Sequence, residues 1–178
     1  MFAAPHSITT TRLTLRRPRA ADAAAVFAGW ASDGEAARFM SWERHAVIER
    51  TEEFLAFADD GWSEYGVGTY FIEHEGALIG STGLHPERAG VAETGYVLRR
   101  DAWGRGFATE ACRAMIALGL GLGLVRVQAT CHVEHGASAR VLEKSGMTFE
   151  GVLRRYQVLP NLSPAPVDMR MFAAIAEP

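Results

Sequence analysis

The sequence predicts a single α/β domain, α+β in detail, with a central mixed, mostly antiparallel sheet of about six to seven strands flanked by about four helices. Three observations lead to this fold class. Alternating apolar and polar residues from 67 to 98 indicate an antiparallel meander. A glycine-bearing loop at 103–106 connects this meander to an apolar helical segment. Beyond it, strand patterns alternate with one further helix, and residues 1–178 show no repeat or second domain.

One strand and two helices are predicted before the meander. Leu13 and Leu15 alternate with polar residues, which favours a short first strand. Asp22 is expected to cap an Ala-rich helix that contains Trp30, and this aromatic is assigned to the core. The segment 48–58 then repeats apolar or small residues on one helical face.

The meander and the C-terminal half have the following predicted bounds. In the meander, strands are expected around 70–72, 78–84 and 94–98, with a turn at 75–76 and a loop at 86–90. After it come a helix at about 108–122, a strand at 125–131, a helix at 138–144, a strand at 149–158, a turn-rich loop at 160–166 and a strand at 167–173. Gly146 suits the left-handed conformation that often follows a helix end.

Composition and charge exclude several classes of protein. Of the 178 residues, 48% are hydrophobic and 22% charged, which is typical of a folded soluble domain. The formal net charge of −3 provides no general attraction for nucleic acid or anionic lipid, so neither is expected as a partner. The longest apolar run, 114–125, is about half a membrane span, and the N-terminus does not resemble a signal peptide.

The two cysteines, Cys112 and Cys131, are too few for a disulfide framework or a zinc site. A reducing cytoplasm therefore fits the chain. His132 and His135 flank Glu134, but their spacing matches no good metal motif, and we expect no metal ion.

A phosphate cradle is predicted at residues 103–109, with the sequence WGRGFAT. Small residues at 104, 106 and 108 allow an anion to approach the backbone, and the helix that follows offers unpaired N–H groups. On spacing alone, the glycines are equally explained as shaping a strand-to-helix turn. The dinucleotide fingerprint G-x-G-x-x-G is rejected, because its third glycine would fall at Thr109 and the preceding sheet is predicted to be antiparallel.

Two blocks carry a resemblance to a known family. The segments AETGYVL at 92–98 and WGRGFATEA at 103–111 resemble the acetyl-CoA motif of the GNAT superfamily of N-acetyltransferases, Gln/Arg-x-x-Gly-x-Gly/Ala, with Trp103 in place of the usual polar first residue. The segment SARVLEKSGM at 138–147 is similar to the late helix and following strand of that family. Within the superfamily, the chain most resembles the ribosomal-protein (RimJ/RimL-like) N-acetyltransferases.

The resemblance implies acetyl-CoA as cosubstrate. Backbone N–H groups of Val97 or Leu98 should face the acetyl carbonyl and act as an oxyanion donor. His135 stands where the family has an asparagine; an imidazole titrates near neutrality, so the charge at this position is expected to depend on pH. The residues implied in cofactor binding are Val97, Leu98, Arg99, Trp103, Gly104, Arg105, Gly106, Phe107, Ala108, Thr109, His135, Ser138 and Arg140.

Acetyl transfer to an amine needs a base for the amine and a proton for the departing thiolate. The resemblance favours Glu93 as the base; a surface carboxylate at a strand start is the competing interpretation, and Glu64 and Glu73 are the next candidates. Ser138 is the expected proton donor, since Leu142 occupies the position of the tyrosine acid of other GNAT enzymes. A helix N-cap is the alternative role for Ser138.

The predicted function is transfer of an acetyl group to a primary amine. The N-terminal α-amine of a protein or peptide is the first acceptor class, followed by small amines such as amino acids, polyamines or antibiotics. A non-catalytic acyl-CoA-binding module is the remaining hypothesis. The resemblance suggests Arg16, Met40, Trp42 and Tyr156 for the acceptor pocket. The sequence leaves the oligomeric state open, with a homodimer as one alternative.

Overall fold

The computed structural model describes residues 1–177. Their strands are β1 Ser7–Thr9, β2 Thr14–Arg16, β3 Thr69–His74, β4 Ala77–Arg88, β5 Val91–Leu98, β6 Arg126–His132, β7 Thr148–Leu159 and β8 Ser163–Ile175. They form one sheet in the order β1-β2-β3-β4-β5-β6-β8-β7. Neighbouring strands are antiparallel except for β5 and β6, which are parallel, so the predicted mixed, mostly antiparallel sheet is confirmed.

The sheet has eight strands rather than six or seven. The additional strand, β1, pairs with β2 from Ser7 opposite Arg16 to Thr9 opposite Thr14. Three half-exposed residues carry too little alternation to be recognised as a strand from sequence. The predicted loop at 86–90 is also mostly strand, because β4 continues to Arg88 through a bulge after Pro86, where a residue without an N–H is tolerated.

The helices are α1 Ala23–Val26, α2 Gly34–Ala37, α3 Ile48–Tyr65, α4 Phe107–Gly121 and α5 Gly136–Lys144. The predictions of α4 and α5 are confirmed within two residues at each end, whereas α3 is confirmed at its start but continues seven residues beyond the predicted segment, to Tyr65. The predicted Ala-rich helix is instead short, because α1 passes directly into a π-helical turn at Phe27–Ala31. The predicted cap is wrong: Asp22 accepts hydrogen bonds from the Arg16 guanidinium and the Arg19 N–H instead of capping α1.

Two cores pack on opposite faces of the sheet. The larger core lies under α4 and α5 and includes Phe107, Met115 and Leu142. The smaller core lies under α1 to α3 and includes Trp30, which is 2% exposed as predicted, and Val97 of β5. No helix among residues 1–177 is long and apolar enough to cross a membrane.

The strands β5 and β6 separate half-way along their length. Their parallel ladder covers only the pairs from Val91–Arg126 to Glu93–Gln128. Beyond Glu93, β5 continues beside β4 to Leu98, while β6 continues beside β8 to His132. The two strands therefore open a cleft in the middle of the sheet.

Candidate active site

The cleft between β5 and β6 contains a cavity of about 500 Å³. It is lined by residues 94–98 of β5, residues 129–132 of β6, the first turn of α4 and much of α5. Part of the segment 35–40, at and after α2, closes one side. Its size is within the range of small-molecule sites in proteins.

Backbone donors on β5 point into this cleft. The N–H of Arg99 donates to Ile79 O of β4 at 2.9 Å. Successive N–H groups of a strand alternate between its two neighbours, so the N–H of Val97 also points to β4. The N–H of Leu98 points the other way, toward the side from which β6 has separated. Of the two predicted oxyanion donors, Leu98 therefore has the suitable direction.

The predicted cradle lies at the N-terminus of α4. Gly104 and Gly106 have φ angles of +72° and +80°, a region that strongly favours glycine. The first helical hydrogen bond runs from Glu110 N to Gly106 O at 3.1 Å, so the N–H groups of 107–109 precede the ladder. Backbone donors and the helix dipole together favour an anion at this end of the cavity.

Arg12 braces the cradle, a role that sequence reasoning missed. Its guanidinium donates to Arg105 O at 2.9 Å and to Glu110 Oε2 at 2.7 Å. The same group lies 4.7 Å from the centre of the Phe107 ring. The turn between β1 and β2 is thereby fixed to the first turn of α4. No local pattern indicates this contact, because the partners are more than 90 residues apart.

Ser138 lines the cavity and hydrogen bonds to a residue that sequence reasoning did not select. The hydroxyls of Ser138 and Tyr96 lie 2.8 Å apart. Burial raises the pKa of Tyr96 well above its usual value, so this hydroxyl keeps its proton. Ser138 is the third residue of α5, and His135 occupies the N-cap position. The alternative of Ser138 as a helix cap is therefore wrong.

The two cysteines are free and buried, and Cys131 also lines the cavity. Burial raises the pKa of Cys112 to about 11 and also raises that of Cys131. Both side chains therefore remain thiols at neutral pH, which makes them poor nucleophiles.

Glu93 lies at the point where β5 and β6 separate, next to the cavity-lining Thr94. Its Oε1 accepts a hydrogen bond of 3.3 Å from the hydroxyl of Thr130, which also lines the cavity. Burial and, second, the neighbouring Glu87 raise the pKa of Glu93. A half-buried carboxyl group with a raised pKa at the edge of a cleft has the properties of a general base.

Comparison with known proteins is consistent with this geometry. Residues 12–148 match the model of the acetyltransferase (GNAT) domain. The chain belongs to the GNAT acetyltransferase family. It is therefore an acetyl-transferring enzyme, and the hypothesis of a non-catalytic binding module is set aside.

The relatives of this GNAT enzyme match nearly its whole length. It is 34% identical to the uncharacterized N-acetyltransferase YoaA of Bacillus subtilis, over 94% of this chain and 96% of that protein. A GNAT acetyltransferase structure from Bacillus anthracis superposes with a TM-score of 0.81 at 26% identity, covering 95% of this chain and 98% of the other. RimL, a ribosomal L7/L12 α-N-protein acetyltransferase in complex with coenzyme A, shares the fold with a TM-score of 0.84 at 20% identity, covering 95% and 97%.

The predicted cofactor residues divide into two groups in this GNAT structure. Those that line the cavity are Val97, Leu98, Trp103, Gly104, Gly106, Phe107, Ala108, Thr109, His135, Ser138 and Arg140. Two arginines have other partners. Arg99 donates to Asp101 and to Leu78 O, and the guanidinium of Arg105 lies 4.7 Å from the Phe107 ring centre, outside the cavity lining.

His135, at the family's asparagine position, packs in an aromatic stack. Phe39, on the segment after α2, lies 4.4 Å from the His135 ring and 5.4 Å from the His132 ring, close to parallel with both. Burial lowers the pKa of His135, and His132 and Arg38 lower it further. Its ring is therefore neutral at neutral pH, unlike the pH-dependent charge that the sequence suggested.

The acceptor residues also divide. Met40 lines the cavity. Trp42 packs half-buried near His45 in the smaller core, and Tyr156 is exposed on β7. Arg16, which was predicted in the acceptor pocket, does not line the cavity. Its guanidinium is bound by Asp22 and Glu73 instead.

Asn161, in the turn between β7 and β8, holds the segment that carries Met40. Its side-chain amide donates to Ala37 O and Trp42 O, both at 2.8 Å, and accepts from Arg44 N at 2.9 Å. Sequence patterns predicted only a turn here. The three bonds connect elements about 120 residues apart and fix the segment that lines one side of the cavity.

Proposed function

We propose that this enzyme transfers an acetyl group from acetyl-CoA to a primary amine, with the N-terminal α-amine of a protein or peptide as the first acceptor class. The observation that carries the proposal is the opening between β5 and β6. Around it lie the raised-pKa carboxyl of Glu93, an inward-pointing N–H at Leu98 and the hydroxyl of Ser138.

The residues present fit acetyl-CoA. The cradle at 104–109 offers N–H groups and close backbone approach for a pyrophosphate, and the cleft is open beside a strand edge with free backbone groups. When bound, acetyl-CoA supplies an activated acetyl thioester. The chain supplies alignment, because Leu98 N–H is directed to the region where the carbonyl oxygen would gain negative charge.

Acetyl transfer moves two protons, and a different side chain of the site handles each one. As the amine nitrogen bonds to the acetyl carbon, Glu93 takes a proton from nitrogen, directly or through a water. As the carbon–sulfur bond breaks, Ser138 donates its proton to the thiolate. Tyr96 orients the Ser138 hydroxyl through their hydrogen bond, and water restores the proton that Ser138 gives up. The net change is one proton from the amine to Glu93 and one from Ser138 to sulfur.

The acceptor class is supported by likeness. RimL acts on the α-amine of a ribosomal protein by its name, and it shares this fold. Met40 lines the cavity on the segment that Asn161 fixes, and we assign the acceptor to this side.

The acceptor is tested by thiol release from acetyl-CoA with peptides that carry free α-amines. Each peptide contains an internal lysine. It is paired with the same sequence bearing a blocked N-terminus, in which the lysine side chain is the only free amine. Turnover of free-amine peptides, with none for the blocked partners, is the expected result. Turnover of small amines alone would contradict the peptide assignment and leave the acetyltransferase in place.

The cofactor site is tested with Gly106→Glu, which adds bulk and negative charge where the pyrophosphate would lie. Calorimetric affinity for acetyl-CoA should drop at least about tenfold, or roughly 1.4 kcal/mol. Gly123→Glu is the matched control, because Gly123 has a similar φ of +84° and is exposed beyond the end of α4. Equal affinity in the two folded variants would reject the cradle.

A further inference from the structure

A hydrogen bond crosses the middle of the sheet beside Glu93. Gln128 of β6 donates from Nε2 to Glu87 Oε2 at 2.6 Å. Glu87 belongs to β4, and β5 lies between these two strands. Because neighbouring strands are about 4.8 Å apart, the two side chains meet above β5. The crossing therefore places the Glu87 carboxylate over the strand that carries Glu93.

The strand register locates this crossing at Glu93 itself. Glu93 is the ladder partner of Gln128 on β6 and of His85 on β4. Paired residues on adjacent strands project to the same face. Gln128 and Glu93 consequently share one face. Glu87 lies in the β4 bulge and has no ladder partner, but its hydrogen bond to Gln128 brings its carboxylate to the same face, next to the proposed base.

Gln128 is itself held in place. Its Oε1 accepts from Arg126 Nε at 2.7 Å, so its amide orientation is fixed with Nε2 toward Glu87. Arg126 also pairs with Glu150 of β7, at 2.5 Å. The chain Arg126–Gln128–Glu87 thus gives the Glu87 side chain, which is only 29% exposed, a defined position.

We propose that Glu87, held by Gln128, is a positioning residue that strengthens Glu93 as a proton acceptor. The inference rests on the proposed function, in which Glu93 is the base. The hydrogen bond from Gln128 holds the Glu87 carboxylate near Glu93, and two close carboxylates resist ionising together. Burial first, and the neighbouring Glu87 second, therefore raise the pKa of Glu93. A base whose pKa is raised toward the working pH is more effective.

Other ionisable groups near Glu93 do not replace this effect. His85, its partner on β4, has its ring over Gly83, where loss of water lowers its pKa, so it is neutral at pH 7. Arg88, also on β4, lies 3.6 Å from Glu87 and is exposed. Arg126 on β6 is engaged by Glu150 and Gln128.

The test is a titration of Glu93 in the free protein, followed by carbon-13 NMR of side-chain carboxyls and assigned with Glu93→Gln. In Glu87→Gln, the midpoint of Glu93 should move to lower pH. In Gln128→Ala it should move in the same direction by less, because Glu87 keeps its charge but loses its fixed position. Glu75→Gln, at a side chain 85% exposed, is the control and should leave the midpoint unchanged.

An unchanged or higher midpoint in Glu87→Gln would overturn the inference, and an unchanged midpoint in Gln128→Ala would remove Gln128 from it. The acidic limb of the pH profile of kcat/KM should shift with the midpoint, which a merely structural role of Glu87 would not produce. The titration needs no acceptor. It therefore reports on the carboxylate pair independently of Glu93→Gln turnover, which tests the base itself.

Discussion

Two groups of ionisable side chains on the sheet differ in how their carboxylates are compensated. At the β2 end, Arg16 lies between Asp22, at 2.8 Å, and Glu73, at 2.7 Å, with 10% of its side chain exposed. At the centre, Glu93 has a second carboxylate and a hydroxyl as neighbours instead of a guanidinium. In the first group each carboxylate is bound by a guanidinium, and in the second no cation binds Glu93.

The pKa values follow the same division. For Asp22, burial acts to raise the pKa, but the bonds from Arg16 and the Arg19 N–H outweigh it and the pKa is lowered. For Glu93, burial and Glu87 act together and the pKa is raised. The two carboxylates therefore differ in one respect: a guanidinium binds Asp22, whereas none binds Glu93.

The largest expected effect comes from breaking the ion pairs of Arg16. Arg16→Met leaves two carboxylates without their cation, and loss of one partner of a buried pair costs about 3–5 kcal/mol. Urea unfolding should show this loss, while kcat/KM of the folded fraction stays within about twofold. Arg50→Met, which removes an exposed pair with Glu53, is the control and should cost about 0–1 kcal/mol. A folded Arg16→Met enzyme with a large rise in acceptor KM would return Arg16 to the acceptor pocket.

The next largest effect is expected on kcat, from changes to the hydroxyl pair Ser138 and Tyr96. Ser138→Ala should reduce kcat by only about ten- to thirtyfold, or roughly 1.4–2 kcal/mol. The loss is modest because a CoA thiolate leaves with little help from a proton donor. Tyr96→Phe removes only the hydrogen-bond partner and should cost about three- to tenfold. Steady-state kinetics beside thermal unfolding would measure both. Full activity in Ser138→Ala with normal activity in Tyr96→Phe would assign the proton to water.

The smallest expected effect is on stability. Because burial raises the pKa of Glu93, its charged form destabilises the folded state above that pKa, and this penalty disappears as the pH falls through it. Glu93→Gln should therefore have a Tm equal to or higher than the parent at pH 8. The difference should shrink or reverse toward pH 4. A variant less stable at pH 8 would mean that the Glu93 charge is compensated.

Local sequence signals were sufficient for most of the order of elements and for the glycine turn before α4. The glycine turn at 104–106 and the helix after it are visible in the local sequence, because glycine favours positive φ and the helix shows its own apolar periodicity. The fold class could be predicted for the same reason. Strand β1 could not, since its pairing depends on β2 rather than on its own pattern.

The site could be predicted only in part. The pairs Tyr96–Ser138 and Glu87–Gln128 join residues 42 and 41 positions apart, and both depend on tertiary packing: the first on α5 against β5, the second on the order of the strands. Arg16 and Glu93 both stand on strands, and no local pattern distinguishes them. Their roles separate only when Asp22 and Glu73 are seen to surround Arg16.

We propose that Glu93 acts in the reaction, whereas Glu73 stabilises the fold by pairing with Arg16. The most direct test is a paired measurement of kcat/KM and Tm on Glu93→Gln and Glu73→Gln, with the best amine from the acceptor panel. We predict that Glu93→Gln loses about a hundredfold in kcat/KM with acetyl-CoA affinity and Tm retained. Glu73→Gln should lower Tm and keep kcat/KM. A hundredfold loss in Glu73→Gln with full activity in Glu93→Gln would reverse the two roles.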